Sequence, residues 1–107
     1  MTMPPSDRMT KLQSLLERDP NDTFLLYAIA LEHKKAGDYP AALQWFDRVV
    51  EKDAGYSVAY HQAALTHEAA GNIEAAKAMY HRGIAAASKK GDHHAAEEMQ
   101  AALSMIE

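Results

Sequence analysis

A chain of 107 residues with a formal charge of -4 and no cysteine has room for one packed core and no means of forming a disulfide, a thiolate metal site or a thiol nucleophile. The acidic balance excludes the broad basic surface that holds phosphate backbones non-specifically, because such contacts need clustered Lys and Arg, so no nucleic-acid partner is expected. Few Gly and Pro beside many Ala, Glu, Lys and Leu favour helix over sheet, which makes the expected class all-α.

In chain order, Met1 to Arg8 lacks the apolar run of a secretory leader, and no stretch of about 18 apolar residues is present to span a bilayer. A cytoplasmic location without a membrane partner is the expectation. Leu12, Leu15 and Leu16, followed by Asp19-Pro20, predict a helix over 7–19 and its stop. The next helix, 23–36, carries Leu26, Ile29 and His33 on one side and Phe24, Tyr27 and Leu31 on the other, so it is apolar nearly all round. Gly37-Asp38 then sets a helix stop directly before a helix start: Gly accepts the left-handed conformation, and Asp caps the following amides. The helix that follows, 39–52, has Pro40 in its tolerant first turn and turns Leu43, Phe46 and Val50 toward its predecessor. Gly71-Asn72 repeats the device between helices predicted at 57–70 and 73–88. A last helix, 92–106, puts Ala95, Met99, Ala102, Leu103 and Ile106 on one face and Glu97, Glu98 and Gln100 on the other.

Shifting the chain by 34 residues aligns Ala30 with Ala64, Leu31 with Leu65, His33 with His67, Gly37 with Gly71, Ala42 with Ala76 and Arg48 with Arg82. The pairs are spread over the whole unit, so the repeat is structural rather than compositional. The expected organisation is a single domain, 7–106, made of an N-terminal half-repeat helix (7–19), two repeats (23–56 and 57–90) and a capping helix (92–106). That supplies about three repeats' worth of stacked core, roughly the minimum for such an array to stand alone.

The spacing of Ala30, Gly37-Asp38-Tyr39, Ala42, Phe46 and Asp53, and of Tyr60, Ala64, Gly71-Asn72, Ala76, Tyr80 and Gly83, resembles the tetratricopeptide repeat, over Thr23 to about Lys90. Leu26 stands where the family has Trp, His33 and His67 replace an aromatic residue, and Ala54 replaces the closing Pro. The resemblance implies antiparallel helix-turn-helix units, about six helices in all, stacked into a right-handed superhelix. It also implies a concave groove, lined by first helices, that takes a peptide or helix segment of a protein partner. By the same resemblance the groove residues are Phe24, Tyr27, Leu31, Lys34 and Lys35 from the first unit and Val58, His61, Leu65 and Glu68 from the second.

An apolar stripe such as Phe24, Tyr27 and Leu31 needs a cover. Three covers are open: another helix of the chain (the Leu12 helix or the terminal one), a partner's helix, or a second copy forming a two-fold homodimer. The basic and amide clamp by which some relatives hold C-terminal carboxylates is not matched, since Tyr27, Leu31, His61 and Leu65 occupy the corresponding positions. Lys34 and Lys35 leave room for an acidic segment nearby.

Six histidines carry the strongest case for chemistry, with His33 and His67 at one repeat position and His93-His94 opening the last helix. A zinc site needs three or four converging ligands, and no i, i+4 pair supplies a local start, so histidine-mediated metal binding ranks behind both interaction readings. No phosphate-cradling loop, nucleophile elbow or Cys-His set is present, and Ser14, Ser88 and Ser104 lack a His at helical spacing. The expectation is a protein that is not an enzyme and needs no cofactor.

Overall fold

The computed structural model describes residues 7–107, so the part of the leader reading that falls on residues 1–6 lies outside the described residues. Six α-helices follow one another: α1 (Asp7–Arg18), α2 (Thr23–Lys35), α3 (Tyr39–Lys52), α4 (Ser57–Ala69), α5 (Ile73–Lys90) and α6 (His93–Ser104). No strand occurs among the described residues, and no helix there is long and apolar enough to cross a membrane.

The turns form as their residues require. Gly37 and Gly71 sit at φ 81° and 83°, a conformation that strains any residue with a Cβ. The next amide reaches back over each turn, Asp38 N to His33 O at 2.9 Å and Asn72 N to His67 O at 2.8 Å, satisfying carbonyls the helix end would otherwise orphan. Carboxylate caps then start the helices: Asp22 accepts from Leu25 N at 3.1 Å, Asp38 from Ala41 N at 3.3 Å and Asp92 from Ala95 N at 3.2 Å. Asn72 departs from expectation, because its side chain makes no cap bond to α5. The exposed start of α5 leaves those amides to water, with Glu74 in the first turn facing the positive end of the helix dipole. Helix α5 also runs past Ser88 to Lys90, giving it 18 residues against 14 in α3, because nothing before Gly91 stops it.

Each helix packs on the next in sequence, with α4 also touching α6. Ala30, Ala42, Ala64 and Ala76 are fully buried, as expected where paired helices approach most closely. Around them Leu26, Phe46, Val49, Tyr60, Tyr80, Met99 and Leu103 fill one continuous core. Burying a side chain the size of Leu26 or Phe46 contributes about 1.5 to 3 kcal/mol. Two assignments to the α2–α3 seam change: Val49 is sealed while Leu43 is only half-buried, and Ile29 belongs to a second cluster with Met9, Leu12, Leu25 and Ala28. Helix α2 is therefore apolar all round for a plain reason. Its Leu26 and Ala30 side meets α3, its Leu25, Ala28 and Ile29 side meets α1, and Arg8 of α1 pairs with Glu32 at 2.8 Å. Helix α1 thus covers a different side of α2 from the one that bears Phe24, Tyr27 and Leu31.

Candidate functional site

The remaining side of α2 and the equivalent side of α4 carry residues related by the 34-residue repeat. Phe24 is 63% exposed and Val58, its counterpart in the next unit, is 43% exposed. Behind them the rings are braced in the same way in both units. Tyr27 of α2 packs on Phe46 of α3 at 6.0 Å between ring centres, and His61 of α4 meets Tyr80 of α5 edge-on at 5.7 Å. Leu31 and Leu65, also repeat equivalents, are half-buried. Tyr56, the N-cap residue of α4, adds a ring 5.4 Å from Tyr27.

Farther along, the surface turns polar. Lys34 donates from Nζ to Gln62 Oε1 at 2.8 Å, tying α2 to α4, and the Tyr80 hydroxyl donates to Glu68 Oε2 at 2.6 Å. Burial lowers the Lys34 pKa while the nearby Glu68 carboxylate opposes the shift. Burial, then the bond to Glu68 and its charge, drives the Tyr80 hydroxyl well above the usual phenolic range. Lys34 thus has one partner within the chain, and Lys35 is exposed. Burial also raises Tyr27, assisted by Tyr56, and raises Tyr56, assisted by the charges of Asp22 and Asp53.

Of the nine residues expected to line a groove, Phe24, Tyr27, Leu31, Lys34 and Lys35 lie on α2 and Val58, His61, Leu65 and Glu68 on α4, while Tyr56, Gln62 and Tyr80 touch members of the set unforeseen. Tyr56 had a legible signal, since a shift of 34 puts it on the cap residue Asp22. Tyr80 had a weaker one: it aligns with Phe46, and its additional hydroxyl marks a buried oxygen that needs a partner.

The histidines do not converge. His33 stacks on Trp45 at 6.2 Å and 23°, with the Arg48 guanidinium 4.3 Å from the same ring. His67 Nδ1 is buried without a hydrogen-bond partner among the described residues, and burial lowers the pKa of the ring against the opposing charge of Asp47. His94 pairs with Glu98 at 2.8 Å. Among the described residues no group of three His, Cys, Asp or Glu side chains is placed to hold a metal ion.

No family model matches the sequence. The chain is similar to the TPR repeat-containing protein PA0015 of Pseudomonas aeruginosa, 27% identical over 96 residues that span 90% of this chain and 91% of that one. It is also similar to the tetratricopeptide repeat domain protein of Salinibacter ruber, whose solution structure matches at TM-score 0.77 and 32% identity over 83% of this chain and 90% of the other. The crystal structure of PcrH in complex with the chaperone binding region of PopD shares the fold at TM-score 0.85 and 22% identity, covering 94% of this chain and 76% of that one.

Proposed function

The chain belongs to the tetratricopeptide repeat family, and on that premise we propose that it is a protein-interaction module which holds a peptide or helix segment of a partner in a concave groove lined by α2 and α4. One observation carries the reading. Two large apolar side chains at the same repeat position, Phe24 and Val58, stand exposed beside half-buried Tyr27, Leu31, His61 and Leu65, while α1 and α3 already cover the other sides of α2. A row of this kind gives a ligand apolar anchors at regular spacing, which is how grooves select amphipathic helices and extended segments. The complex of PcrH with a region of PopD is in keeping with a fold that serves this purpose. The residues proposed to meet the ligand are Phe24, Tyr27, Leu31, Val58, His61 and Leu65, with Lys34 and Glu68 holding the wall and Lys35 at its end. The role is one of binding, and no catalytic step is assigned to it.

Phe24→Asp with Val58→Asp tests the reading, because both positions are exposed and the fold should tolerate the change. The double variant should melt as the parent does and lose capture of the partner. Unchanged capture would dismiss the groove. A parent dimer that the same pair of substitutions dissociates would make a second copy of the chain the occupant.

A further inference from the structure

The two ends of the α2–α4 face differ in charge and in how much of that charge is already used. Where α2 ends, Lys34 is bonded to Gln62, and Glu68 is bonded to Tyr80. Where the helices begin, the capping residues Asp22 and Tyr56 occupy the same repeat position, and Asp53 closes α3 alongside. The Tyr27 and Tyr56 rings lie 5.4 Å apart and inclined at 51°, both half-buried, so each keeps part of its surface open beside Phe24 and Val58.

The fold has a consistent use for such rings. Arg48 lies 4.3 Å from the Trp45 ring centre and Arg82 lies 5.7 Å from that of Tyr60. Tyr27 and Tyr56 carry no such cation among the described residues, although the carboxylates of Asp22 and Asp53 both act on the Tyr56 hydroxyl. Each carboxylate makes one backbone bond, Asp22 from Leu25 N and Asp53 from Gly55 N at 3.0 Å, and retains capacity to accept more. The nearby Lys90 ammonium donates to the Gly55 carbonyl at 3.1 Å.

We infer that the segment held in the groove brings a basic side chain, Arg or Lys, onto the Tyr27–Tyr56 ring pair on the side of Tyr56 that Asp22 and Asp53 act on, with flanking apolar side chains on Phe24, Val58 and Leu31. A cation is attracted to the negative face of an aromatic ring, and two carboxylates beside the rings add to that attraction. An acidic residue at the same point would meet repulsion from both carboxylates. The inference rests on the groove reading and names the chemistry of its occupant.

The test uses a synthetic array of short Leu- and Phe-rich peptides in which one position is Arg, Lys, norleucine or Glu, probed with the intact protein. The Arg and Lys members should be retained about tenfold more strongly than the norleucine member, and the Glu member least. Asp22→Asn with Asp53→Asn keeps both backbone bonds while removing the charge. That variant should bind the norleucine member as the parent does and lose the preference for Arg and Lys, and Tyr56→Leu should separately reduce that preference. Equal retention of the Arg and norleucine members by the parent overturns the inference and leaves the groove reading standing. Retention of no member by the parent overturns the inference as well, while partner capture by the Phe24 and Val58 variants continues to judge the groove separately.

Discussion

Substituting Gly83 by Ala sets two effects of known sign against each other. Gly83 lies inside α5, where replacing Gly by Ala in an open helix stabilises by about 1 kcal/mol. Here the added methyl carbon would sit 2.6 Å from Tyr60 Cβ and 2.5 Å from Met99 Sδ, about 1 Å inside ordinary contact. Met99 is long and flexible enough to yield. Tyr60 Cβ is fixed to the backbone of α4, and its hydroxyl is anchored on Ala54 O at 2.8 Å, so relief requires α4 to move away from α5. Overpacking of this kind costs about 1 to 3 kcal/mol, and a rigid obstacle belongs near the upper end. Subtracting the helical gain leaves a net loss of about 2 kcal/mol, which lowers the melting temperature of a domain this size by roughly 10 °C. Thermal unfolding followed by circular dichroism measures it. A Gly83→Ala variant that melts at or above the parent temperature would refute the claim that this glycine sets the spacing of α4 and α5.

The two equivalent turns should respond differently to loss of their cap residues: Asp38→Ala removes the bond to Ala41 N and should cost about 1 kcal/mol by urea unfolding, whereas Asn72→Ala should change stability far less, since Asn72 makes no cap bond. Tyr80→Phe deletes the hydroxyl that donates to Glu68 and should cost about 1 to 2 kcal/mol in the same assay, with the ring still accommodated, as Phe46 is in the first unit. The folded-state pKa of His67 lies below the ordinary 6.5, so below that pH the unfolded chain binds the extra proton more readily. The His67 contribution is thus fully present above about pH 6.5 and is lost as pH falls through the folded-state value. Asp47 acts in the opposite sense, because burial raises its pKa, and does so nearer the carboxylate range. Urea midpoints measured from about pH 7.5 to about pH 5.5 should therefore fall more steeply for the parent than for His67→Phe.

Most of the fold was legible in the sequence because its punctuation is local. Gly37-Asp38 and Gly71-Asn72 place the turns between paired helices, and the buried alanines mark where those helices meet. The end of α5 was less legible, since Ser88-Lys89-Lys90 contains no breaker and only Gly91 stops the helix. Periodicity alone also could not divide the apolar surface of α2 among its neighbours. That division put Ile29 against α1 and left Phe24 exposed, and it depends on where α1 packs. Along the candidate groove, the repeat register pairs Phe24 with Val58 and Leu31 with Leu65, but it gives no sign of the Lys34–Gln62 bond, which joins residues 28 apart in the chain.

The central claim is that the α2–α4 face holds a partner segment. Replacing Phe24 with the photo-crosslinking residue p-benzoylphenylalanine, and in a parallel variant replacing exposed Gln44 on α3, tests it most directly in the cell of origin. The account predicts a discrete cross-linked partner peptide from position 24 and none from position 44. The same products from both positions, or products from position 44 alone, would contradict it.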